Sequence, residues 1–160
     1  MQIYKHVVLV VDDNQTVAHT LALLLEQSGY NAIGVSSGQE ALDVVAGIAI
    51  DIAVVDIQMP GTDGLQTAVE ICKRLPRCRI VLISGQPESI EQVERAAKEG
   101  LDFLVLAKPI PPAELLATPA ALCPPMSSRP VLDFRRPEIE EKPKIHTFVM
   151  KITEQSFSGR

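Results

Sequence analysis

Residues 52–61 read Ile52-Ala53-Val54-Val55-Asp56-Ile57-Gln58-Met59-Pro60-Gly61: a short apolar run, a single carboxylate at its end, then a turn. Three other stretches are built alike. Val7 to Val11 leads into Asp12-Asp13, Ile80 to Ile83 into Ser84, and Phe103 to Leu106 towards Lys108. Short unalternating runs of Val, Ile and Leu, spaced by helix-like segments, read as strands of a parallel sheet covered on both faces. In an open α/β sheet, ligands bind in the crevice beyond the carboxyl ends of the strands. Three carboxylates, a hydroxyl and an ammonium are therefore expected at one edge of one sheet.

The segments between the runs fit the same fold. Asp13 or Asn14 can cap a first helix whose stripe is Val17, Leu21, Leu24 and Leu25 and whose end is Gly29. Ala32 to Val35 makes a short second strand. Ser37-Gly38-Gln39-Glu40 is a capping-box pattern opening a helix with Ala41, Leu42, Val44 and Val45 inside. After the turn at Met59-Pro60-Gly61, a helix from about Thr62 to Arg74 carries Leu65, Ala68, Val69 and Cys72, and Pro76 stops it. Glu88 to Glu99 forms the next, with Ile90, Val93, Ala96 and Ala97. Five strands with intervening helices make an α/β fold, a doubly wound five-stranded parallel sheet in (βα)5 order.

The chain's end reads differently. Pro111 and Pro112 suit a first helical turn, but Pro119 removes a backbone hydrogen bond and clashes one turn back, costing about 3 kcal/mol in a helix interior. Ala113 to Thr118 is therefore expected to make at most two turns. The folded domain is assigned to residues 1–118, and 119–160 to a Pro-rich tail with a candidate strand near 144–152, where His146, Phe148, Met150 and Ile152 alternate.

Composition narrows the function. Apolar residues are 46% of the 160, aromatics 4% with no Trp, so the core is aliphatic. Residues 1–123 carry 8 Lys and Arg against 15 Asp and Glu, and an acidic body without a basic stripe is a poor grip for a phosphate backbone. Nucleic acid is not the expected partner. No apolar run approaches the ~20 residues that span a bilayer, and the first strand starts too early for a signal peptide, so no membrane and a cytoplasmic setting are expected. Cys72, Cys78 and Cys123 have no metal-ligand spacing and read as reduced thiols; His6, His19 and His146 are isolated.

Three carboxylates meeting at one point repel one another unless a cation intervenes. Oxygen ligands with room for water suit Mg²⁺. Lys108 and Ser84 would complete an anion site beside the metal, a pocket for a phosphoryl group, with Asp56 as the carboxylate that accepts it covalently.

Residues 6 to about 118 resemble the receiver domain of bacterial two-component response regulators. The likeness is carried in order by Val10-Val11-Asp12-Asp13-Asn14, by Val55-Asp56 through Asp63-Gly64, by Ile83-Ser84-Gly85 and by Leu106-Ala107-Lys108-Pro109. It implies a flavodoxin-like sheet of strand order 2-1-3-4-5, the order of the doubly wound domains of this family. It further implies that Asp56 takes phosphate from a histidine kinase or phosphotransfer protein. Asp12, Asp13, Asp56 and the backbone carbonyl of Gln58 would hold Mg²⁺, Lys108 would pair with the phosphoryl oxygens, and Ser84 would hydrogen-bond them. Lys108-Pro109 would be a cis peptide bond. The chain would be a stand-alone phosphoprotein of a two-component system or phosphorelay, signalling by contact with a downstream protein or as a homodimer. It would be no enzyme beyond self-phosphotransfer and autohydrolysis of the aspartyl phosphate. Two departures stand out: the family's aromatic switch position holds Val105, with Phe103 two residues back, and the last helix is expected to be short.

Two rivals differ in class. A phosphate-independent interaction module of the same fold gains from Val105 and loses from the complete acid set. A haloacid-dehalogenase-like phosphatase would need a second Asp where Asn14 stands and an acidic pair after the lysine, and neither is present.

Overall fold

The computed structural model describes residues 5–86, 88–101 and 103–123. Five strands, β1 (Val7–Val11), β2 (Asn31–Val35), β3 (Ile52–Asp56), β4 (Arg79–Ser84) and β5 (Phe103–Ala107), form one parallel sheet in the order β2-β1-β3-β4-β5. That is the expected flavodoxin-like order. The connecting helices are α1 (Gln15–Gln27), α2 (Gly38–Gly47), α3 (Gly64–Arg74), α4 (Glu88–Lys98) and α5 (Pro112–Leu122). Between β3 and α3 the turn at Pro60-Gly61 closes a small antiparallel hairpin, Gln58–Met59 against Thr62–Asp63, which the sequence reading takes for a turn alone.

Side chains alternate across the sheet, so each strand feeds two cores. Leu9, Val11, Ala53, Val55, Ile80 and Leu82 face α2, α3 and α4, and Ala41, Val45, Ala68, Ile71, Val93 and Ala96 close that side. Val8, Val10, Ile52, Val54, Val81 and Ile83 face the other way, towards Leu25 of α1 and Leu115 of α5. The helix starts are capped much as the sequence suggests. The Asn14 side chain accepts from the Thr16 and Val17 amides, Ser37 from the Glu40 amide, and Asp63 from Leu65 and Gln66. The Glu40 carboxylate reaches the Ser36 amide, one residue before the cap.

Two expectations are corrected. Val17 is 37% exposed, and the buried face of α1 is Ala18, Ala22 and Leu25. The cause is a close approach: a Cβ at Gly34 of β2 would lie 2.7 Å from the Ala18 carbonyl oxygen, so small residues must face the sheet there. The second concerns α5, which continues through Pro119 to Leu122, beyond Thr118. Thr118 Oγ1 donates to the Glu114 carbonyl and the Cys123 amide to the Pro119 carbonyl. Leu115, Thr118 and Pro119 are buried. Burial of an apolar side chain stabilises by about 1.5–3 kcal/mol, which offsets the proline's cost in the helix. The tail beyond 123, including the candidate strand near 144–152, lies outside the described residues. Among the described residues no helix is long and apolar enough to cross a membrane.

The end of α5 is tied to the far edge of the sheet, where Tyr30 Oη donates to the Cys123 carbonyl at 3.1 Å. Tyr30→Phe is expected to cost about 1 kcal/mol and to speed hydrogen exchange of the last α5 amides more than those of β3. Uniform acceleration across both elements would show that the bond does not anchor α5 in particular.

Candidate functional site

Register brings the site together. Val11 pairs with Val55, so Asp12 and Asp56 leave adjacent strands at the same height, and Asp13 follows at once. Ser84 ends β4 opposite Ala107, which sets Lys108 one residue beyond. Asp12 and Asp56 are buried, at 5% and 1% exposure, while Asp13 is exposed. One oxygen of each of the three lies within 4.8 Å of the others. At such separations each charged pair repels by about 3–4 kcal/mol at an effective dielectric of about 20.

Part of that repulsion is answered by fixed donors. Lys108 Nζ forms an ion pair with Asp56 Oδ2, and the Gln58 amide donates to Asp56 Oδ1 at 2.9 Å. The Asn14 amide donates to Asp12 Oδ1 at 2.9 Å. These are not enough for Asp12. Burial holds its carboxyl above the usual carboxylate range, against the Asn14 amide that lowers it, and the charges of Asp56 and Asp13 raise it further. Among the described residues, these three carboxylates have one ammonium, that of Lys108, paired with them. Hard oxygen donors with a charge deficit of this size fit a divalent cation such as Mg²⁺, which takes one or two carboxylates and keeps several waters.

The remaining groups stand around this centre. Ser84 Oγ donates to the Gln86 carbonyl at 3.0 Å and accepts from the Gln86 amide at 3.3 Å, so the hydroxyl is turned into its own loop. Gln58 pairs with Asp63 across the hairpin, and its side-chain nitrogen Nε2 is buried without a hydrogen-bond partner. Its Oε1 lies 3.1 Å from where a Cβ on Gly85 would stand. Lys108-Pro109 is cis, as the resemblance implies. Phe103 and Val105 are both buried on one face of β5.

Gly64 of the motif has a structural reason that the sequence does not show. A Cβ at Gly64 would lie 2.0 Å from the backbone oxygen of Asp56. The start of α3 therefore packs directly against the acceptor strand, and glycine is the residue that allows it. Its signal in the sequence is only a Gly eight positions after Asp56.

A sequence model of the response regulator receiver domain matches residues 8–119. The chain is 31% identical over 119 residues to the alkaline phosphatase synthesis transcriptional regulatory protein PhoP of Bacillus subtilis, covering 72% of this chain and 47% of that one. It is 28% identical over 113 residues to the regulatory protein VanR of Enterococcus faecium, covering 69% and 46%. The chain thus spans less than half the length of these curated relatives. Among solved structures, it superposes with a TM-score of 0.63 at 32% identity on a response regulator protein from Burkholderia pseudomallei with a phosphorylated aspartic acid, calcium ion and citrate, covering 73% of this chain and 69% of that one. A receiver domain protein from Methanospirillum hungatei gives 0.65 at 23% identity, covering 72% and 90%, a likeness of fold.

The strain on Asp12 predicts how the metal-free protein responds to pH. Because its charged form is disfavoured in the fold, the contribution of Asp12 to stability is full below the ordinary carboxylate range and is lost as pH rises through its raised value. Asp12→Asn is expected to raise the melting temperature of metal-free protein at neutral pH. Mg²⁺ should stabilise the wild type by mass action, about 2.7 kcal/mol at a hundredfold excess over Kd, and the variant far less. Equal Mg²⁺ responses in thermal denaturation would place the cation elsewhere.

Proposed function

The chain belongs to the response regulator receiver family, and we propose that within it this protein is a phosphate-accepting signalling domain whose acceptor is Asp56. The observation that carries the reading is the buried Asp56 carboxylate, held between Lys108 and the Gln58 amide and flanked by Asp12 and Asp13.

In the proposed reaction a carboxylate oxygen of Asp56 attacks phosphorus of a phosphohistidine on a kinase or phosphotransfer protein. A P–O bond forms, the P–N bond breaks, and the electron pair returns to the imidazole nitrogen, which takes a proton from solvent. Lys108 follows the charge from the carboxylate onto the phosphoryl oxygens, a charge-assisted contact that needs no movement of the strand. Asp12, Asp13, Asp56 and the Gln58 carbonyl would hold Mg²⁺, which supplies positive charge to the phosphoryl oxygens when bound. Ser84 would leave the Gln86 carbonyl to donate to the new phosphoryl group. Gln58 and Gln86 are neutral amides with no basic atom to activate water, so the acyl phosphate would be lost slowly.

The phosphate would act as a signal by changing contacts with a downstream protein, in the cytoplasm. With Val105 in place of an aromatic ring, the movement of Ser84 would be read through the loop at Gly85-Gln86 rather than through the swing of a ring.

Intact-mass spectrometry after incubation with acetyl phosphate tests this. A gain of one phosphate should need Mg²⁺ and vanish in Asp56→Asn, while Lys108→Ala should slow its appearance, consistent with losing a contact of about 1.5–3 kcal/mol. Slow decay in the same samples would reflect the missing base. Undiminished labelling of Asp56→Asn would refute the assignment.

A further inference from the structure

Strand β2 is an edge strand, and among the described residues no strand pairs with its outer side. The Asn31 amide donates to the His6 carbonyl, and the Val35 carbonyl accepts from the Asp12 amide. In a parallel ladder the residues between alternate, so Ala32 and Gly34 turn their N–H and C=O groups outwards. Ala32 and Ile33, which point to opposite faces, are each only half-buried, as side chains are when a strand lacks a neighbour on one side. Beside Gly34 a groove of about 380 Å³ opens along α1, lined by Gln15, Thr16, His19 and Thr20. An edge of this kind is a template for another strand unless something covers it.

The chain itself carries a segment of the right kind, launched from the right place. Cys123 is held against Tyr30, the residue immediately before β2, so the chain leaves α5 at the foot of that edge. Residues 124–160 follow, 37 in all, and their last proline is Pro143. Beyond it, Ile145-His146-Thr147-Phe148-Val149-Met150-Lys151-Ile152 is free of proline and glycine and rich in β-branched residues, and a strand would put Phe148, Met150 and Ile152 in one row. The 21 residues from 124 to 144 span up to about 60 Å when extended, whereas five strands are about 20 Å across. Reach is not limiting, and the bond to Tyr30 starts the segment beside β2, the shorter span of the two edges.

We propose that residues 145–152 add to the outer edge of β2 as a sixth strand of the same molecule. Main-chain bonds to Ala32 and Gly34 hold the strand, one row of its side chains covers the groove along α1, and the other covers Ile33. Gly34 brings α1 close against β2, so the groove lies directly beside the edge.

Residue-resolved amide exchange on the full chain tests the pairing. Of two neighbouring residues in an added strand one must turn its N–H to β2, so Phe148→Pro and Val149→Pro are compared with wild type. In wild type the Ala32 and Gly34 amides should exchange at least about tenfold more slowly than in one or both variants, since proline removes a ladder donor. Ile33 and Val54 should stay slow throughout, showing the fold intact. Protection independent of protein concentration supports pairing within one molecule. Identical exchange at Ala32 and Gly34 in all three proteins would overturn the proposal. So would tail-dependent protection appearing on β5, or protection that grows with concentration.

Discussion

Among the described residues, three carboxylates share the end of one sheet with the ammonium of Lys108, and the rest of the site depends on that imbalance. Parallel register makes it unavoidable: once Val11 pairs with Val55, Asp12 and Asp56 must emerge side by side. The fold answers with Lys108 on Asp56 and with backbone amides on Asp56 and Asp12, and still leaves Asp12 above its ordinary range. A site left short of positive charge favours whatever brings it, and it weakens any competing state in which all three acids stand bare.

The scaffold keeps that arrangement from relaxing. Asp56 ends β3 and Asp12 follows β1, strands whose residues beside them are almost fully buried, and interiors packed to that density do not let strands slide. Behind Asp56, Gly64 brings the first turn of α3 against the strand's own carbonyl. On the other side the loop after β4 holds Ser84 in a small closed ring of hydrogen bonds with Gln86. The acids are thus fixed by the sheet, while the Ser84 hydroxyl is engaged by the backbone of the residue two positions on.

Much of this was legible in the sequence because it is written locally. Each strand is a continuous apolar run, and a residue that ends such a run must stand at the sheet's carboxyl edge, which located Asp12, Asp13, Asp56, Ser84 and Lys108 without coordinates. What was missed depends on contacts between distant residues. Val17 has the right spacing for a buried stripe, yet Ala18 and Ala22 take the inner face because Gly34 lets α1 come close. Pro119 carries a strong local signal to stop a helix, and burial of the surrounding apolar residues overrides it. The partnerless nitrogen of Gln58 shows only once the hairpin and Gly85 are folded against each other.

The central claim is that Asp56, held between Lys108 and the Gln58 amide, is the one of three neighbouring carboxylates that accepts a phosphoryl group. Borohydride reduction of the phosphorylated chain, which converts an aspartyl phosphate to homoserine, followed by peptide sequencing in the mass spectrometer, reads that choice residue by residue. Homoserine at position 56 alone, with Asp12 and Asp13 unchanged, is the result this account predicts. Homoserine at position 12 or 13, or none in a chain that has gained phosphate, would contradict it.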